Sequence, residues 1–65
     1  MQAYVTSSWS GWSGDTIVKL SDGSVWEQAE YYYEYRYSYR PAATVANGKM
    51  EVEGMNRAVG VRRLT

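Results

Sequence analysis

The chain predicts an all-β fold: a small five-stranded antiparallel barrel built from hairpins, with one long tyrosine-rich strand. Three observations carry this reading. Tyrosine occupies every odd position from 31 to 39 (Tyr31, Tyr33, Tyr35, Tyr37, Tyr39), and a period of two puts those rings on one face of an extended strand. Asp22-Gly23 and Asn47-Gly48 are two-residue hairpin signals between apolar runs. The 65 residues include neither cysteine nor histidine, so a domain this small has no disulfide or zinc to lean on and must find stability in packing or oligomerisation.

Residues 1–14 read as a leader. Trp9-Ser10-Gly11-Trp12-Ser13-Gly14 is a tandem repeat, with glycine and serine supplying flexibility. The two tryptophans are expected to fold back over one end of the barrel, the alternative being a ligand-binding pair; each ring can bury about 150–250 Å². The string Trp9 to Ser13 resembles the Trp-Ser-x-Trp-Ser signature of cytokine-receptor fibronectin-type domains, but such sandwiches need about 100 residues.

Residues 15–65 form the single barrel domain. Its first strand is Asp15 to Leu20, and a type I′ turn at Asp22-Gly23 sets Leu20 opposite Val25, Lys19 opposite Trp26 and Val18 opposite Glu27. The second hairpin sets Val45 opposite Met50 and Ala43 opposite Val52 on the core face, with Thr44, Glu51, Ala46 and Lys49 on the other. Ala58 to Leu64 forms the last strand, with Val59 and Val61 inward.

The tyrosine segment cannot run straight into the second hairpin. A strand from 31 to 45 would be about 50 Å long at about 3.3 Å per residue, too long for this domain, and Pro41 is the expected break. If the alternation is unbroken, Tyr37 and Tyr39 share the core face of Ala43 and Val45 while Tyr31, Tyr33 and Tyr35 overhang it. A bulge at Pro41 would flip that face.

The order Val18-Lys19-Leu20-Ser21-Asp22-Gly23-Ser24-Val25-Trp26, Tyr37-Ser38-Tyr39-Arg40-Pro41, Lys49-Met50-Glu51-Val52-Glu53-Gly54-Met55 and Val59-Gly60-Val61-Arg62-Arg63-Leu64 resembles short bacterial proteins and domains of unknown function with a Src-homology-3-like small β-barrel. The resemblance covers residues 15–64. It implies a five-stranded barrel whose last strand follows a tight turn at Gly54 to Arg57, and it carries over no functional residue.

Charge and chemistry narrow the function. Residues 1–35 hold one cation against five carboxylates, net −4, and residues 36–65 hold six cations against two carboxylates, net +4. Acidic and basic strands pairing in one sheet explain this more simply than a polyanion site. Without histidine or cysteine the common general base and the best nucleophile are missing. Glu51 and Glu53, about 6.7 Å apart along a strand, read as a solvated face beside Lys49 rather than a glycosidase pair. No enzyme and no cofactor are expected. No apolar run approaches the roughly 20 residues that span a bilayer, no signal-peptide pattern is present, and a soluble cytoplasmic protein is the expectation.

What remains is a binding role. The expected function is a non-catalytic protein-interaction or self-associating module that contacts a protein partner or its own copy through Tyr31, Tyr33 and Tyr35, with Trp26 and the Trp9/Trp12 pair. The alternative is a single-stranded nucleic-acid-binding barrel, in which tyrosines stack on bases and Arg36, Arg40 and Arg62 contact phosphates.

Overall fold

A computed structural model describes residues 1–6 and 8–65; Ser7, within the expected leader, lies outside the described residues. Among the described residues eight strands and no helix are formed: β1 (Gln2–Tyr4), β2 (Ser8–Ser13), β3 (Ile17–Lys19), β4 (Val25–Gln28), β5 (Tyr33–Tyr39), β6 (Ala42–Ala46), β7 (Lys49–Val52) and β8 (Val59–Arg63). Six of them make one antiparallel sheet in the order β1-β6-β7-β8-β4-β3, and β2 pairs with β5 in a separate two-stranded ribbon. The six-stranded sheet curls until its two edges touch. Val5 bridges Leu20, with hydrogen bonds from Thr6 N to Lys19 O and from Ser21 N to Tyr4 O at 3.0 and 2.7 Å. The result is a barrel-like all-β body with a ribbon, eight strands in place of the expected five.

The expected leader is part of this body. Ala3 and Val5 enter the core, and Trp9 and Trp12 are 3 % and 1 % exposed. Two tryptophans three positions apart would point to opposite sides of a regular strand. The register shift between Trp9 and Gly11, where Trp9 pairs with Ser38 but Gly11 with Tyr35, resets the alternation and turns both rings inward. They meet edge to face, centroids 5.0 Å apart at 84°, and Trp9 Nε1 donates to Met55 Sδ at 3.4 Å. Val18, Leu20, Met50, Val52 and Val59 complete the buried centre.

The Asn47-Gly48 hairpin has the expected register, Ala43↔Val52, Thr44↔Glu51, Val45↔Met50 and Ala46↔Lys49. Positive φ at both turn residues, 54° and 76°, is the type I′ geometry. Val59 and Val61 of β8 are buried as expected.

The first hairpin differs by one residue. Lys19 faces Val25, Val18 faces Trp26 and Ile17 faces Glu27. Here Ser21-Asp22-Gly23 form a three-residue loop: Gly23 N donates to Leu20 O, Leu20 N donates to Ser24 O, and Gly23 takes φ 90°, the left-handed residue such loops require. Asp22 Oδ1 fixes it by accepting from the amide and hydroxyl of Ser24 at 2.9 and 2.6 Å. The slip puts Ser24, Trp26 and Gln28 on the inner side of β4 and sends Val25 and Glu27 outward.

The acidic and basic halves meet within the structure. Glu27 on β4 lies opposite Arg62 on β8 and the two form an ion pair, while Glu30 pairs with both Lys49 and Arg57.

Candidate functional site

β5 carries the feature on which the expectation rests. Arg40 adopts φ 51°, a left-handed turn costly for an arginine, and it ends β5 one residue before Pro41. That turn breaks the alternation between β5 and β6. Ala43 and Val45 point into the core, yet Tyr37 and Tyr39, expected beside them, are 63 % and 71 % exposed. All five odd-numbered tyrosines, from Tyr31 at 84 % to Tyr37, therefore face solvent.

Their neighbours on β2 are small. Ser8 lies opposite Tyr39, Gly11 opposite Tyr35 and Ser13 opposite Tyr33. Tyr31 packs over Gly14, where an added Cβ would come within 3.4 Å of its ring. Rings on one strand beside serine and glycine on the next leave a shallow recess of about 200 Å³ lined by Ser10, Gly11, Trp12, Ser13, Tyr33 and Tyr35. At about 150–250 Å² per aromatic side chain and 63–84 % exposure, the five rings offer about 700 Å². That area, part of it hydroxyl, is comparable to one partner's share of a standard interface.

The ribbon is held by contacts that sequence reasoning did not identify. Gly11, at φ 105°, lies so close to β5 that a Cβ would sit 2.0 Å from Glu34 O. Glu34, on the inner side between the tyrosines, accepts from the Tyr32 hydroxyl at 2.7 Å, from Asn56 Nδ2 at 2.8 Å and from the Asn56 amide at 3.2 Å. Its carboxyl is held below the ordinary glutamate value, chiefly by the Tyr32 hydrogen bond, then by Asn56 and the charge of Arg36. The same bond pushes the Tyr32 phenol up, and the Arg57 guanidinium covers the Tyr32 ring at 4.8 Å.

Gln28, 5 % exposed, locks the two loops that lead into the ribbon. Its Oε1 accepts from the amides of Gly14 and Thr16 at 2.8 and 3.3 Å, and its Nε2 donates to the carbonyls of Glu30 and Tyr32 at 3.0 and 2.9 Å. Nothing in the sequence marks Gln28 for this role, whereas Gly11 could have been suspected from the repeat and Glu34 from its place among the rings.

The other expected surface residues disperse. Trp9 and Trp12 belong to the core, Trp12 at the floor of the recess. Trp26 lies in the six-stranded sheet, half-buried, with its Nε1 donating to Ser24 Oγ and Arg63 over its ring at 5.9 Å. Arg36 sits 3.9 Å from Glu34 and Arg62 2.5 Å from Glu27; Arg40 is exposed at the end of the tyrosine strand. Glu51 and Glu53 are both exposed. Among the described residues no helix is long and apolar enough to cross a membrane. No protein-family model, no curated protein and no solved structure matches this chain.

Proposed function

We propose that the protein is a non-catalytic interaction module, working in the cytoplasm, that binds an extended protein segment or its own copy through the tyrosine face of β5. The single observation that carries this reading is the array of five exposed rings at the odd positions of residues 31–39, four of them on one side of β5 and Tyr31 just before it. Tyrosine combines large contact area with few torsions to freeze and is enriched at interfaces. Kinship with Src-homology-3-like barrels belongs to the same proposal. Its support is that β6, β7, β8, β4 and β3 are consecutive antiparallel neighbours in the sheet, with the Gly54–Arg57 turn before the last strand.

The nucleic-acid alternative draws less support. Arg36, Lys49, Arg57 and Arg62 each lie 2.5–3.9 Å from a carboxylate, which leaves a thin basic footprint for phosphates.

Sedimentation of the wild type, Tyr33→Ala and Tyr35→Ala across concentration, at low and high salt, tests the proposal. Association that persists in high salt and falls with each substitution supports it, provided circular dichroism shows the fold retained. Association indifferent to both tyrosines overturns it. Salt-sensitive retention of a single-stranded oligonucleotide would favour the alternative.

A further inference from the structure

We infer that the partner is a second copy of the chain, and that two β5 strands pair along their open edges, antiparallel, about a two-fold axis through Tyr35, which sets the tyrosines of one copy beside those of the other. The inference rests on the tyrosine-face reading above and adds partner, geometry and register to it.

Three observations lead there. First, β5 hydrogen-bonds to β2 on one side only. Among the described residues, no backbone hydrogen bond outside that ladder reaches Tyr33–Tyr39. A long strand with an open edge is a template for another strand. Second, the edge carries little of the usual protection, for Pro41 stands beyond the strand and its charges, Glu34 and Arg36, are of opposite sign.

Third, those charges select the register. In antiparallel self-pairing about residue n, residue n+k faces n−k of the copy, and facing side chains share one side of the sheet. An axis at Tyr35 sets Glu34 opposite Arg36 twice over, Tyr33 opposite Tyr37, and Tyr31 opposite Tyr39. An axis at Arg36 sets two arginines face to face, one at Glu34 sets two glutamates face to face, and one at Tyr37 brings Pro41 opposite Tyr33. Only the Tyr35 axis pairs every charge with its opposite and keeps proline out of the ladder. The product is a continuous four-stranded sheet, β2-β5-β5-β2, with the rings of both copies on one side.

The absence of native cysteine makes a direct test available. Facing residues in an antiparallel pair have Cα atoms about 4.5–5.5 Å apart, within disulfide range. Tyr35→Cys is expected to oxidise to a covalent dimer by itself. Tyr33→Cys and Tyr37→Cys should each stay largely monomeric alone under denaturing, non-reducing conditions, and should cross-link to one another when mixed. Arg36→Glu, which would face like charges across the axis, is expected to weaken association about tenfold or more, with its fold checked by circular dichroism. A tyrosine-dependent dimer in which Tyr35→Cys fails to cross-link overturns the register and leaves the interaction reading standing. A monomer at every concentration overturns the second copy as occupant. Association unaffected by Tyr33→Ala and Tyr35→Ala removes the interaction reading and this inference together.

Discussion

Glu30, in the loop between β4 and β5, accepts the backbone amide of Gly60 on β8. The same carboxylate takes Arg57 Nη2 at 2.9 Å and lies 3.8 Å from Lys49 Nζ. One side chain thereby ties the entrance of the tyrosine strand to β7, β8 and the turn between them. The Gly60 hydrogen bond is the main cause holding the Glu30 carboxyl below its ordinary value, with the charges of Lys49 and Arg57 adding to it. A carboxyl depressed in the folded state contributes stability above its unfolded value, and that contribution is lost as pH falls through the folded value. Glu30→Gln is therefore expected to lower the urea midpoint at neutral pH and to flatten its decline between about pH 5 and pH 2. Gly60→Ala, whose Cβ would stand 3.1 Å from Glu30 Oε1, should displace the carboxylate and give a similar flattening.

The two core tryptophans should respond differently to phenylalanine. Trp9 Nε1 donates to Met55 Sδ, whereas Trp12 Nε1 is buried with no partner among the described residues. An unpaired buried donor costs about 1–3 kcal/mol, so Trp12→Phe recovers part of what its lost volume costs and Trp9→Phe does not. Urea denaturation should rank Trp9→Phe as the more destabilised. Either residue changed to alanine should cost about 3–5 kcal/mol, a large share of a small domain's stability.

Gly11→Ala should uncouple β2 from β5. Its φ of 105° and a Cβ 2.0 Å from Glu34 O combine backbone strain of about 1–3 kcal/mol with a clash against main chain that has no rotamer to yield. The expected outcome is lost protection of the Tyr33–Tyr39 amides in hydrogen exchange, while those of the β6–β7 hairpin stay protected.

Gln28→Leu should destabilise more than a neutral buried substitution of its size. It strips partners from two amides and two carbonyls, each left partly desolvated at about 1–3 kcal/mol. Thermal denaturation should show the loss.

What was legible in the sequence was local. The Asn47-Gly48 turn fixes its own register because its two φ angles admit little else, and the inward valines of β8 follow from alternation. Asp22-Gly23 misled by one position because an aspartate that accepts from Ser24 suits a three-residue loop as readily as a two-residue one. The tryptophan head looked like a leader because glycine and serine composition says nothing of a bulge that aims both rings inward. Alternation carried through Arg40 places Tyr37 and Tyr39 in the core, and one left-handed residue there cancels it. Gln28 was invisible, since its four partners lie in loops whose approach depends on the finished fold.

The Val5–Leu20 closure also bears on how the chain folds. β1 has no hairpin partner: it pairs with β6, with Gln2 opposite Thr44 and Ala3 opposite Ala43, and touches Leu20 only at its far end. The Asn47-Gly48 hairpin can form within microseconds from adjacent residues. β1 must instead wait for a strand some forty residues away to be in place, and the entropy of closing that loop is spent before any of its contacts are gained. Seating of β1 is therefore expected late, leaving Ala3, Val5 and the β6 edge they cover open to other chains until then.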